Sequence, residues 1–184
     1  MGLTQDLRDR LIASCPDTLA GKRDRALIAL GYDTLCRRSE LVGLRAEDLS
    51  VVRGAGQILT RRSKSDPYGQ GRLGYASSDT LLLLRDWLAT AKIERGFIFR
   101  RVRSDNIGEK PLHPYSVNRI LEQAASRAGL PAETIKELSG HSIRVGAAQD
   151  MIASGMGCCR SCGPAAVGRR TSSRVISKTL TLPQ

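Results

Sequence analysis

The stretch SGHSIRVGAAQDM, residues 139–151, carries the strongest structural and chemical signal in the chain. Its pattern predicts a helix that begins beside His141 and Arg144. Residues three positions apart share one face of a helix, so both side chains can reach the same ligand. A helix N-terminus adds free backbone N–H groups and a favourable dipole, and both suit a phosphate. We therefore predict an anion site at the start of this helix.

Two polar clusters upstream supply the remaining charges of such a site. Arg37, Arg38 and Glu40 lie at a helix junction in CRRSELVGLRAEDL, residues 36–49, where either arginine can face a phosphate. Lys64 lies near a predicted turn in TRRSKSDPYG, residues 60–69. A second arginine makes bidentate contacts to both non-bridging oxygens of a phosphodiester. Such a set stabilises the extra charge of a pentacoordinate phosphoryl transition state without a metal.

Each of these residues also has a plainer interpretation. Arg37 and Glu40 can form a structural ion pair, Lys64 in a hairpin is ordinarily a solvated charge, and a lone histidine such as His141 more often caps or packs. Taken separately, none of them decides the function. Their order along the chain does.

The patterns outside the motifs predict a mainly α-helical chain with one small antiparallel β-sheet. Extended runs on both sides of residues 66–69 indicate a β-hairpin, and GFIFRR, residues 96–101, indicates a short strand. One helix is predicted from a cap at Asp17 or Thr18 through the low thirties, and a second from near Ser39 to near Gly43. A third begins at a cap at Ser78 or Asp79 and has Leu81, Leu84, Trp87 and Leu88 facing inward. A fourth lies within residues 113–130 and is closed by Gly129, and a fifth covers residues 142–154.

The order of the polar clusters resembles the catalytic domain of the tyrosine site-specific recombinases, the phage-integrase family, and particularly its Cre-like branch. That family has an arginine in an R-x-x-E helix, a lysine in a β-hairpin turn, H-x-x-R, then a histidine or tryptophan and a nucleophilic tyrosine. Arg37 with Glu40, Lys64, and His141 with Arg144 match the first three parts. The resemblance covers roughly residues 15–156 and implies the recombinase catalytic-domain fold.

The resemblance also implies roles for these residues. Arg37 and Arg144 would bind the scissile phosphate of double-stranded DNA, with Glu40 supporting the first arginine. Lys64 would protonate the departing 5′-oxygen, and His141 would assist the acid–base steps. A tyrosine would attack phosphorus and form a 3′-phosphotyrosyl link that conserves the bond energy, so no cofactor or metal is expected. The function implied is DNA recombination or integration by a phage or mobile element. The family's N-terminal DNA-clamping domain is expected to be absent.

The nucleophile is missing from the position where the family has it. All four tyrosines precede His141, and the single tryptophan, Trp87, falls on a predicted core face. We therefore expect a domain of residues 1–156 that lacks its last helices and is defective in strand cleavage. Full-length recombinase subunits are potential partners, since some family members take the tyrosine from a neighbour.

Residues 157–184 differ from the rest in composition. They hold five Lys and Arg and no Asp or Glu, so they contribute +5 of the net charge of +11. Codons that encode residues 174–179 can also encode Arg-Tyr-Ile-Glu-Asn when the reading frame starts at the third base of each codon. In the same shifted frame, codons for residues 163–168 can encode a tryptophan. We interpret this tail as frameshifted, disordered translation. Cys159 and Cys162 have the spacing of half a zinc site, but no second pair completes it.

The composition bears on where the protein acts and on the class of partner it binds. No apolar run is long enough to span a membrane and the N-terminus is too charged for a secretory signal, so we expect a cytoplasmic protein with reduced, buried Cys15 and Cys36. Residues 1–156 carry +6 by themselves, which favours a polyanionic partner. The alternative function is a non-catalytic DNA-binding module that occupies recombination sites. A generic helical protein without a DNA role is the least favoured interpretation.

Overall fold

A computed structural model describes residues 1–61, 71–104 and 106–155 of the chain. In this part, three α-helices come first, followed by three strands, one helix, two strands and three helices. The helices are α1 (Gln5–Ala13), α2 (Leu19–Thr34), α3 (Arg38–Gly43), α4 (Ser78–Thr90), α5 (Tyr115–Arg127), α6 (Ala132–Glu137) and α7 (Gly140–Ala153), and the strands are β1 (Leu49–Val52), β2 (Ala55–Thr60), β3 (Arg72–Ala76), β4 (Arg100–Arg103) and β5 (Asn106–Pro111). A single 3-10 turn covers Ala46–Asp48.

Helices α2 and α4 begin at or next to the capping residues that the sequence predicts. Thr18 caps α2, and its hydroxyl accepts a hydrogen bond from Gly21 N at 3.1 Å. The cap of α4 is Ser77, one residue before the predicted position, because the Ser77 hydroxyl accepts from Thr80 N. Gly129 follows α5 with a φ of +70°, the left-handed conformation that glycine adopts without strain. The prediction of a mainly helical fold is confirmed.

The sheet prediction needs two corrections. Strands β2 and β3 pair in antiparallel register, as the hairpin prediction requires, but β1 adds a third strand on the other side of β2. A separate antiparallel pair, β4 with β5, makes a second sheet among the described residues. The strand predicted at residues 96–101 begins only at Arg100. Before it, Phe97 forms an isolated bridge with Arg45, and Ile98 N donates to Leu44 O. The predicted turn at residues 66–69 lies outside the described residues.

Helices α2, α4 and α5 each contribute several side chains to the buried core. Trp87 is fully buried, and its indole N–H donates to Ile98 O at 2.9 Å, which ties α4 to the segment before β4. Cys15 and Cys36 are buried free thiols, as expected, and burial raises the pKa of the Cys15 thiol. No helix in the described part of the chain has the length and apolarity to cross a membrane. The predicted basic tail, and the domain boundary at residue 156, lie outside that part.

Helix α7 is held by the first residues of the chain. Leu3 N donates to Ser142 O at 2.8 Å, and Gly146 lies so close to Leu3 that a Cβ would stand 1.8 Å from Leu3 O. Near the end of α7, the Asp150 carboxylate accepts hydrogen bonds from Gln5 N at 2.7 Å and from the Tyr32 hydroxyl. These contacts fix the direction in which the start of α7 points.

Candidate active site

A cavity of about 290 Å³ opens where the starts of α3, α5 and α7 meet. Three of the predicted site residues, Arg37, His141 and Arg144, line it, although more than a hundred positions separate the first from the other two. The remaining lining residues are Arg38, Ser39, Pro114 and Gly140. Three arginines thus face one cavity, and no carboxylate is among its lining residues. The cavity therefore favours an anion.

Arg37 and Glu40 form the ion pair that the plainer interpretation anticipated. Arg37 Nη1 lies 2.8 Å from Glu40 Oε1, and Arg37 N donates to Glu40 Oε2 at 2.9 Å. The Glu40 side chain is only 5% exposed, whereas the Arg37 side chain is 37% exposed and also lines the cavity. The pair is therefore both structural and part of the site. The buried carboxylate holds the arginine at the cavity wall.

Arg144 shows the opposite arrangement. Its Nε atom is buried and, within the described ranges, has no hydrogen-bond partner. A buried donor without an acceptor costs about 1–3 kcal/mol, and more when the group is charged. Arg144 is also one of the residues that line the cavity. An unsatisfied donor in such a residue is a feature that calls for a functional explanation, and a bound anion is one.

The backbone at the start of α7 does not match the expectation of free N–H groups. Gly140 N donates to Asn118 Oδ1 at 2.9 Å, His141 N donates to the Ser139 hydroxyl at 3.3 Å, and Ser142 N donates to Ser139 O. The helix start is thus capped by the protein itself. Side chains and the helix dipole, not free amides, make the cavity attractive to an anion.

Sequence reasoning placed Arg38 beside Arg37 but missed the contacts that shape the cavity. The aliphatic part of Arg38 packs on Gly140, where an added Cβ would lie 2.2 Å from Arg38 Cγ. The guanidinium of Arg38 lies 5.4 Å from the centre of the exposed Tyr115 ring. Arg72 approaches Glu40 from β3, with Arg72 Nη2 4.0 Å from Glu40 Oε2. No spacing in the sequence links these residues, and only the glycine beside His141 hinted at a close approach.

Lys64 lies outside the described residues, so its predicted place near the cavity stays a prediction. The same holds for Cys159 and Cys162. Among the residues that the structure describes, no three His, Cys, Asp or Glu side chains come close enough together to hold a metal ion.

The sequence model of the phage integrase family matches residues 2–158 of the chain. The chain belongs to the phage integrase family. This confirms the family that the order of the polar motifs predicted.

Curated members of the family give pairwise matches over most of the chain. It is 37% identical over 137 residues to an integrase/recombinase xerD homolog of Selenomonas ruminantium, a match that covers 71% of this chain and 39% of that protein. It is 31% identical over 127 residues to tyrosine recombinase XerC of Xylella fastidiosa strain M23, and 27% identical over 146 residues to recombinase cre of Escherichia phage P1. These matches cover 69% and 73% of this chain, and 40% and 43% of the two relatives. The chain therefore spans less than half the length of these members.

Solved structures of integrase-family proteins share the fold. The XerH site-specific recombinase bound to its difH substrate, in a pre-cleavage complex, aligns with a TM-score of 0.63 at 20% identity, over 83% of this chain and 43% of that one. The XerA recombinase aligns with a TM-score of 0.66 at 18% identity, over 87% and 53%. At these identities the likeness shows the architecture, and it confirms the recombinase type of fold.

Proposed function

We propose that this chain binds double-stranded DNA as part of a site-specific recombinase and holds the scissile phosphate in the cavity between α3, α5 and α7. Arg37 and Arg144 contact the non-bridging oxygens, and Glu40 holds Arg37 in place. His141, at the rim, assists proton transfer. The relatives' names support recombination as the reaction class.

The reaction is a transesterification at phosphorus. A tyrosine hydroxyl attacks the phosphodiester, its oxygen bonds to phosphorus as a 3′-phosphotyrosyl ester, and the 5′-oxygen leaves. Lys64 gives the leaving oxygen its proton. The arginines stabilise the added negative charge of the pentacoordinate transition state. Residues 1–184 hold no tyrosine after Tyr115. We therefore take the nucleophile from another subunit and expect no DNA cleavage by these residues alone.

One observation carries the proposal. Arg144 lines a cavity whose charged lining side chains are cationic, and its buried Nε atom has no partner among the described residues. A phosphate supplies the missing acceptor.

The test is the affinity for a 30-base-pair duplex of mixed sequence, measured by fluorescence anisotropy. Arg144→Ala should weaken binding about 10- to 100-fold, the value of a charge-assisted hydrogen bond to a buried group. Arg85→Ala removes an exposed positive charge from α4 and serves as the control, with a change below about threefold. Equal losses in the two variants would mean diffuse basicity and no phosphate site.

A second candidate function is a DNA-binding module without catalysis. It is favoured by an assembled set of cationic groups in a chain that has no tyrosine after His141. The two candidates differ in what happens when a full-length recombinase subunit, with its own first catalytic arginine replaced, is added to this chain and a nicked duplex.

A covalent, SDS-resistant DNA adduct on the added subunit would show that this chain supplies a working phosphate site in trans. Protection of the duplex without any adduct would assign the chain to the module. An adduct on this chain alone would contradict both candidates, because it requires a nucleophile that neither includes.

A further inference from the structure

The turn between α2 and α3, residues 35–37, places Arg37 at the wall of the cavity. Leu35 in this turn has a φ of +54°, a left-handed conformation that is unfavourable for a residue other than glycine. Its neighbours Thr34 and Cys36 are buried. Such a conformation persists only where the surrounding groups hold it. The contacts around this turn therefore decide how Arg37 is presented.

Arg72 of β3 contacts the chain on both sides of Leu35. Its Nη1 atom donates to Thr34 O at 2.9 Å, and its Nη2 atom donates to Cys36 Sγ at 3.3 Å. Thr34 is the last residue of α2, and the last carbonyls of a helix have no partner within it. The last turn of α2 has no basic residue of its own, so the Arg72 guanidinium supplies the cation that stabilises a helix C-terminus.

The same guanidinium approaches the carboxylate that pairs with Arg37. Arg72 Nη2 lies 4.0 Å from Glu40 Oε2, the oxygen that also accepts from Arg37 N. A buried carboxylate such as Glu40 needs a cation nearby. A phosphate that engages the Arg37 guanidinium competes with Glu40 for it. Because Arg72 is a second cation, the Glu40 carboxylate then stays paired and in place.

Close packing holds β3 against the end of α2. Gly74 lies two residues after Arg72 and therefore on the same face of the strand. A Cβ at Gly74 would stand 3.0 Å from Thr34 Cβ and Cγ2. Strand β3 is also paired with β2, with Thr60 opposite Arg72. The Arg72 side chain thus extends from a backbone that is itself fixed next to the turn.

We infer that Arg72 is a positioning residue for the phosphate cavity. It is not among the residues that line the cavity. It acts on a bound phosphate through the turn at residues 35–37 and through Glu40, which together set the position of Arg37. This inference rests on the proposed function, because it uses the phosphate contact that we assign to Arg37 there.

The test is a double-variant cycle on the affinity for the 30-base-pair mixed-sequence duplex, measured by fluorescence anisotropy. Arg37→Gln should weaken binding roughly tenfold or more, and Arg72→Gln should weaken it about five- to tenfold, because Arg37 then holds its phosphate contact less well. In the Arg37→Gln background, Arg72→Gln should change the affinity by less than about twofold. A direct contact of Arg72 with DNA, or a general loss of folded protein, would act equally in both backgrounds.

Arg45→Gln is the matched control. The Arg45 side chain is 39% exposed against 42% for Arg72, and Arg45 Nη1 lies 3.3 Å from Glu47 Oε1, so this variant also removes one charge and one ion pair. Its affinity should change by less than about threefold. Urea unfolding followed by circular dichroism shows whether each variant is folded. If Arg37→Gln does not fold, Arg37→Lys replaces it in the cycle, because lysine keeps an ion pair with Glu40 and loses the bidentate geometry.

The outcomes separate this inference from the proposed function. If Arg144→Ala weakens binding and Arg72→Gln behaves like Arg45→Gln, the role of Arg72 is overturned and the phosphate cavity stands. Equal losses from Arg72→Gln in both backgrounds overturn that role as well, since Arg72 then does not act through Arg37. If neither Arg144→Ala nor Arg37→Gln weakens binding more than Arg85→Ala does, the proposed function fails and the role of Arg72 fails with it.

Discussion

The charged side chains near the two ends of helix α7 differ in their hydrogen bonding. At the far end, the Asp150 carboxylate accepts from Gln5 N and from the Tyr32 hydroxyl, and both bonds join α7 to other parts of the chain. At the near end, Arg144 Nε is buried beside a cavity and has no partner in the described ranges. The difference separates a structural role from a functional one. The hydrogen-bonded Asp150 carboxylate stabilises the fold, whereas Arg144 Nε keeps a hydrogen-bond donor for which a ligand can supply the acceptor.

The largest expected effect tests the close contact between α7 and the first residues of the chain. Gly146→Ala places a Cβ 1.8 Å from Leu3 O, so the segment around the fully buried Leu3 has to move. We expect a loss of about 3 kcal/mol in the free energy of unfolding, the upper range for overpacking. Urea denaturation followed by circular dichroism measures it.

Gly43→Ala is the matched control for this glycine, because an added Cβ at Gly43 meets nothing within 4 Å. Its change should stay within about 0.5 kcal/mol. If the two variants are equally stable, the first residues of the chain do not hold α7 in place. The comparison between the two ends of α7 would then be wrong.

The second expected effect is a dependence on alkaline pH. Burial and the hydrogen bond to Asp150 raise the pKa of Tyr32, so the folded state keeps this proton more tightly than the unfolded chain does. The associated stability is fully present below the ordinary tyrosine pKa of 10.0 and is lost as pH rises above it. We expect a decline of at most about 1.4 kcal/mol per pH unit relative to Tyr32→Phe.

The measurement is urea unfolding of the wild-type chain and the Tyr32→Phe variant from pH 8 to pH 11. The difference between the two free energies should shrink as the pH rises. A constant difference would mean that the Tyr32 proton is not what joins α2 to α7.

The smallest expected effect concerns Arg144, near the start of α7. Arg144→Met keeps the volume of the side chain and removes an unsatisfied buried donor, so stability should change by less than about 0.5 kcal/mol or rise. Asp150→Asn removes a charge from the closed end and should cost about 1.5 kcal/mol, the lower value for hydrogen bonds to a charged group. Thermal unfolding of both variants tests the contrast. A large loss in Arg144→Met alone would assign Arg144 to the structure and not to a ligand.

Much of the fold could be predicted from the sequence because its long helices carry their own signals. Thr18 caps α2, and Leu81, Leu84 and Trp87 recur at helical spacing in α4 and are buried. Helix α1 was missed because its charged residues hide the pair Leu7 and Leu11 that faces the core. Tertiary contact decides such a helix more than propensity does.

The candidate site was predictable in part, and for a different reason. The spacing of His141 and Arg144 places them on one helix, and the order of motifs pointed to Arg37, but nothing local shows that these elements meet. The contact between Arg38 and Tyr115 could not be predicted, because it depends on how α3 and α5 pack against Gly140. Backbone N–H groups expected to be free are occupied by Asn118 and Ser139, which only the folded chain brings there.

The contacts of Leu3 and Gln5 with α7 also have a consequence for the order in which the protein forms. They join residues up to 145 positions apart, so a loop of nearly the whole described chain has to close before they exist. Closing it costs conformational entropy that grows with the logarithm of loop length, and such distant contacts form late. A nascent chain on the ribosome therefore has its core helices before its first residues find their last partner. The cavity between α3, α5 and α7 is then assembled only after synthesis has passed α7, so a partly made chain lacks the site that we propose for a phosphate.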